Sequence, residues 1–153
     1  MTAELTVDVL GAPKPQGSKR GFIVQGKGSK QRAVVVDTNK KPLRDWRSDV
    51  IGAVRDAWAG REPIDDPVFV HLEFRLPRPK AGKARFPAGR VGDLDKLTRT
   101  ILDALEIAGA VTDDSRVCTI TASKAYPTAP SVPGVRIVMG RIDAEATTPG
   151  GNL

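Results

Sequence analysis

Leu5, Val7 and Val9 alternate with Thr6 and Asp8, the two-residue period of a strand with one buried face. Gly11, Pro13, Pro15 and Gly17 end that pattern in a loop. Phe22–Val24 and Ala33–Val36 read as two arms of a ribbon joined by the basic turn Gln25–Arg32. The period then lengthens. Leu43, Trp46, Val50, Val54 and Ala57 recur at helical spacing, with Asn39 as cap, Pro42 in the first turn and Gly60 as stop. Trp46 lies on that apolar stripe, which makes it a core residue rather than a base-stacking platform. Val68, Val70, Leu72, Phe74 and Leu76 alternate again, opposite Phe69, His71, Glu73 and Arg75, in a strand whose single histidine reads as structural. A second helix is predicted over Leu94–Ala108, with an apolar face of Leu94, Leu97, Ile101, Leu102, Leu105 and Ala108. Asp95, Arg99, Asp103 and Glu106 fall on its polar side, with Lys96 and Thr100 beyond them. A strand follows over Arg116–Ala122, with Cys118, Ile120 and Ala122 on one side, so Cys118 is expected in the core. Val135, Ile137 and Met139 mark a last strand, reached hairpin-like through the proline-rich turn Tyr126–Gly134.

Mixed strand and helix periods in 153 residues predict one α+β domain, a small mixed sheet with two main helices, over residues 1–142. Residues 143–153 (DAEATTPGGNL) have little to bury and are expected to be a flexible tail. No apolar run approaches membrane-span length, the start lacks the charge and apolar stretch of a signal peptide, and one cysteine makes neither an internal disulfide nor a thiolate cage. A cytoplasmic protein without a membrane partner is the expectation.

Charge changes the picture more than composition does. The net charge of +6 is unevenly spread. Lys14, Lys19, Arg20, Lys27, Lys30 and Arg32 fall in a segment without acids, as do Arg75, Arg78, Lys80, Lys83, Arg85 and Arg90. These two segments carry +12, leaving 12 basic against 18 acidic residues elsewhere. Both are rich in Gly and Pro and, beyond the predicted ribbon arms, read as loops, which suits a polyanion bound through phosphate neutralisation. The first loop is not a phosphate-binding Walker loop, because the Gly-x4-Gly-Lys-Ser/Thr spacing is absent.

Against this basic background, two acidic pairs bracket the second helix: Asp93 and Asp95 at its head, Asp113 and Asp114 in the turn beyond. Were Asp93 and Asp95 both helical, they would point about 200° apart. Asp93 as an extended N-cap, with Asp95 in the first turn, lets both carboxylates converge near the helix N-terminus. Alone, such a pair reads as a cap and a dipole partner. The second pair favours a metal site, provided the chain doubles back, since a helix of about 16 residues is about 24 Å long. Oxygen-only ligands point to Mg²⁺, with Mn²⁺ as an alternative, and no organic cofactor is indicated. Asp-x-Asp is also the signature of haloacid-dehalogenase-like phosphatases, but Leu97 stands where that motif wants Thr, and no apolar strand precedes Asp93.

The residues Asp93-Leu-Asp95, Leu97, Asp103-Ala-Leu105, Gly109 and Asp113-Asp114-Ser115-Arg116-Val117, with the Pro15–Arg20 loop and the Trp46 helix, resemble the RusA-type Holliday junction resolvases, common in phages and prophages. The resemblance covers the chain except its C-terminal tail. It implies a homodimeric, Mg²⁺-dependent endonuclease that makes paired nicks at four-way DNA junctions in recombination and repair. It implies metal binding by Asp93, Asp95 and Asp114, with Asp113 in an assisting role. The family pattern Asp-x-Asp-Asn-Leu-x-Lys is altered here. Lys96 replaces the Asn and Arg99 the Lys, so the basic catalytic role lies with Lys96 or Arg99. Lys14, Lys19, Arg20, Arg78, Lys80, Lys83, Arg85 and Arg90 are the expected DNA-binding residues. The competing readings are a branched-DNA-binding protein with weakened catalysis and a metal-dependent phosphatase.

Overall fold

Strand β1 covers Leu5–Leu10, β2 Lys19–Gln25, β3 Gln31–Asp37, β4 Val68–Arg75, β5 Val117–Ala125 and β6 Gly134–Arg141, with helices α1 over Lys40–Trp58 and α2 over Leu94–Ile107. The computed structural model describes residues 1–16, 19–25, 31–37, 40–80, 82–88 and 92–143. Asn39, expected to cap α1, and residues 144–153 of the expected tail lie outside them.

Four strands form a mixed sheet in the order β1-β6-β4-β5, and β2 pairs with β3 as the separate ribbon that the sequence predicts. β6 runs antiparallel to both β1 and β4, whereas β5 is parallel to β4. The expected β5–β6 hairpin is therefore corrected: β4 lies between them. The reason is the β4–α2–β5 crossover. A helix between two strands returns the second parallel to the first, so β5 takes one side of β4 and leaves the other for β6. The sheet edges are β1 and β5.

The helices cover one face of this sheet. Val68, Val70, Leu72 and Phe74 of β4 are at most 1% exposed, as alternation predicts, and pack with Val135, Ile137 and Met139 of β6. From α1 come Trp46, Val50, Val54 and Trp58, from α2 Leu97, Ile101, Ala104 and Leu105. Burying each of the fully enclosed aliphatic side chains stabilises the fold by about 1.5–3 kcal/mol. On α1 the stripe ends at Trp58 and Ala57 is exposed, because a 3.6-residue period drifts past a strict repeat. On α2, Thr100 is fully buried rather than on the polar side. The segment before β2 crosses the helix there: Gln16 N–H donates to Lys96 O at 3.2 Å, and Thr100 Oγ1 lies 3.4 Å from Lys96 O and 3.5 Å from Lys14 O.

The expectation for Cys118 is also corrected. The register sets Ile120 beside Val70 and Ala122 beside Leu72, so this side of β5 faces the helix layer as the alternation suggests. But β5 is an edge strand that α2 leaves uncovered: Cys118 is exposed and Ile120 is 45% exposed. Among the described residues, no helix is long and apolar enough to cross a membrane.

Candidate active site

The head of α2 is set by Gly92 and Asp93. Gly92 has φ +78, and a Cβ there would stand 3.2 Å from Leu76 Cδ1. Asp93 follows in an extended conformation, φ −57 and ψ 130, as the N-cap position requires. Its main-chain carbonyl accepts the Leu97 N–H at 3.0 Å, but its side chain makes no capping bond. The carboxylate instead stands 3.6 Å from Lys96 Nζ. A role as cap alone is thus absent, and the group is 57% exposed, open to a ligand. Lys124, at the end of β5, donates to the Gly92 carbonyl at 3.1 Å and fixes this corner from outside the helix.

At the other end, Gly109 (φ +82) reverses the chain, as the sequence suggests. The returning turn is braced by the segment before β4. Ile64 N–H donates to Ala110 O and Thr112 N–H to Ile64 O, each at 3.0 Å. Asp65 accepts from Thr112 Oγ1 at 2.6 Å and from Arg116 Nε at 3.0 Å. The Thr112 hydroxyl and then the Arg116 charge hold the Asp65 pKa below the usual carboxylate range. Asp113 caps the 3-10 turn Asp114–Arg116, accepting the Ser115 N–H at 2.8 Å. Hydrogen bonding from Ser115 likewise lowers its pKa.

Glu106, Asp113 and Asp114 come together here, with ligand oxygens within 4.8 Å of one another. Among the described residues no other three acidic, His or Cys side chains do so. Glu106 was placed only on the polar side of α2 by the sequence, yet a signal exists. It stands eleven residues after Asp95, three turns to within about 20°, so both lie on one stripe. Along the axis that spacing is about 16 Å. Asp95 and Asp93 therefore occupy one end of α2, and Asp113 and Asp114 gather with Glu106 at the other.

A groove of about 520 Å³ links the two ends, open because β5 is uncovered. Asp95, Arg99, Asp103 and Asp114 supply its charge, Leu94, Leu102 and Ile120 its apolar lining, and Thr98 a hydroxyl. Arg99 follows Asp95 by one turn and enters the groove between the carboxylates, whereas Lys96 pairs with Asp93.

The expected DNA contacts divide. Lys80, Lys83 and Arg85 are exposed and Lys14 is half-buried. Arg78 donates to Gly82 O and Ala84 O at 3.3 and 2.9 Å and so closes its own loop. Arg75, included in the second basic segment, belongs to the sheet: it bonds Asp8 Oδ1 at 2.6 Å and Val132 O at 2.7 Å. Lys19 and Arg20 fall in β2 with side chains outside the described set, and Arg90 is outside it altogether. His71, 3.4 Å from Glu73 Oε1, lies on the open sheet face away from the carboxylates.

A family model described as endodeoxyribonuclease RusA matches residues 13–138, a span that contains both acidic pairs and the groove. Among curated proteins, none matches the chain.

Proposed function

Because the chain belongs to the RusA endodeoxyribonuclease family, we propose that it is a divalent-metal-dependent nuclease that resolves four-way DNA junctions by paired symmetric nicks as a homodimer, in recombination and repair. The observation that carries this reading is one open groove lined by Asp95 from the head of α2 and by Asp114, which gathers with Asp113 and Glu106 beyond its other end. The donors are carboxylate oxygens, which fits a hard cation such as Mg²⁺ or Mn²⁺. Asp93, Asp95 and Asp114 would hold it, with Asp113 assisting. Asp113 is the weaker ligand because one of its oxygens is engaged by Ser115 N–H.

Asp95 stands near the head of α2, and Asp114 gathers with Glu106, about 16 Å further along the helix axis, with both aspartates lining the one groove. In the proposed homodimer, a twofold axis near the middle of α2 would bring opposite ends of the two helices together. It reverses the helix direction, so Asp93 and Asp95 of one protomer meet Asp114 of the partner subunit, and the same junction forms twice. Ile120, 45% exposed, and Leu102 line the groove and offer apolar contact for such a pairing. Two equivalent sites follow, as paired nicking needs.

When bound, the metal supplies an activated water and offsets charge developing on the phosphodiester. The protein's own groups orient the strand. Arg99 presents a fixed fork to a non-bridging phosphate oxygen from inside the groove. Lys96 holds the Asp93 carboxylate. Lys14, Lys80, Lys83 and Arg85 neutralise flanking phosphates, so selection of junctions comes from the shape and spacing of the arms rather than base readout.

The test compares a synthetic four-way junction, a linear duplex and a chromogenic phosphate ester, each with and without Mg²⁺. Junction nicking that needs Mg²⁺ and is lost in Asp93→Asn and Asp114→Asn, with binding retained, is the expected result. Binding without nicks in Mg²⁺ or Mn²⁺ would leave a branched-DNA-binding protein, and turnover of the ester alone would leave a phosphatase.

A further inference from the structure

A second cavity, of about 460 Å³, lies beside the head of α2 and outside the carboxylate groove. Five proline rings line it: Pro13 and Pro15 from the loop before β2, and Pro77, Pro79 and Pro87 from the loop after β4. Tyr126, just past β5, completes the wall, and Gly92, the residue before Asp93, closes one end. Among the described residues, its charged lining groups are Lys14 and Arg78, both cationic. Arg78 lies over the Tyr126 ring, 4.9 Å from its centroid.

We propose that this cavity receives an unpaired nucleotide of the branched DNA, with its base stacked on the Arg78–Tyr126 pair and between proline rings. The idea rests on the reading that the chain acts on DNA junctions. The chemistry is specific to such a ligand. A phosphate alone has no use for an apolar wall, and a purely apolar ligand has no use for two cations. A nucleotide presents a flat π-face and an anion together. Aromatic rings and guanidinium planes are the usual stacking surfaces for splayed bases, and Lys14 suits the attached phosphate. The described lining is also braced from within the chain. Proline fixes its own backbone, Tyr126 N–H donates to Arg85 O at 3.1 Å, and Arg78 is held by two carbonyls of its loop. Bracing of these lining groups favours affinity. Because the lining holds few hydrogen-bonding groups, the site accepts any base. A duplex keeps its bases paired and inside, whereas a crossover can release one. The cavity thus provides a preference for branch points over duplex, next to the metal-binding end of α2.

The experiment uses the whole protein in EDTA, so that strands are bound and not cut. A four-way junction carrying 5-iododeoxyuridine at the branch point is photo-crosslinked and the attached peptide identified by mass spectrometry. The expected attachment is Tyr126, the one tyrosine of the chain. In parallel, Tyr126→Ala should weaken junction binding about tenfold, as loss of one stacked base does. Tyr126→Phe should restore binding, and duplex affinity should stay unchanged. A bound junction that crosslinks elsewhere, or equal junction affinity in Tyr126→Ala, overturns the proposal. Failure of the wild type to bind the junction at all would instead overturn the branched-DNA reading itself. The crosslink is read on wild type, so it decides the matter even if the alanine variant folds poorly.

Discussion

The Lys96 ammonium stands 3.6 Å from the Asp93 carboxylate. One turn on, Arg99 lines the groove that holds Asp95 and Asp114. The two basic residues that occupy the altered part of the family pattern therefore do different work. In the proposed mechanism Lys96 steadies the Asp93 carboxylate, and Arg99 faces the scissile strand. Arg99→Ala is expected to lower the junction-nicking rate about 10²–10³-fold, the usual loss when a donor to a developing anion is removed. Lys96→Ala should cost far less at saturating Mg²⁺ and more at low Mg²⁺. Single-turnover rates across a Mg²⁺ titration check both, and equal losses in the two variants would contradict the division.

Gly92 sets the approach to Asp93 from a left-handed conformation, with Leu76 close behind it. Gly92→Ala is expected to destabilise the fold by about 1–2 kcal/mol, the cost of a side chain in that region. Cleavage should fall further, by about 100-fold, because a small displacement of a reacting group is costly. Urea unfolding with nicking assays on the same preparation separates the effects. Loss of stability without extra loss of rate would mean that Gly92 does not position Asp93.

The acidic turn depends on Asp65, whose pKa is lowered by Thr112 and Arg116. A lowered carboxylate contributes stability that is full above its unfolded pKa and lost as pH falls through the folded one. Asp65→Asn should therefore melt at a lower temperature than wild type at pH 7. The difference should close as acid takes wild type through the depressed Asp65 value. Thermal melts over an acid series measure this, and a gap independent of pH would remove the ionic part of the brace.

Much of this was legible in the sequence. The two periods located both helices and the four sheet strands, because Val70, Leu72 and Phe74, or Val50 and Val54, follow the core side faithfully. The neighbour order of the sheet was not legible. Val135, Ile137 and Met139 carry the same alternation whether β6 pairs with β4 or with β5. Cys118 and Ile120 failed for a related reason: alternation fixes the side a residue faces, and not whether a helix covers that side. Thr100 is buried by the segment at Lys14–Gln16, a tertiary contact with no local signature. At the site, Asp93 as extended N-cap and the reversal at Gly109 were both readable. Glu106 was visible only as a repeat of Asp95 three turns later, and Asp65 carried no signal at all.

The most direct measurement mixes two inactive variants. If Asp93 and Asp95 of one protomer share a metal with Asp114 of the partner subunit, an Asp93→Asn/Asp114→Asn heterodimer holds one fully intact site and one doubly altered site. Co-refolded mixtures, or a differentially tagged heterodimer, should then nick one strand of a four-way junction in Mg²⁺, although each homodimer is inert. A heterodimer that binds the junction and leaves both strands whole would contradict the shared site and put all the ligands of each metal within one chain.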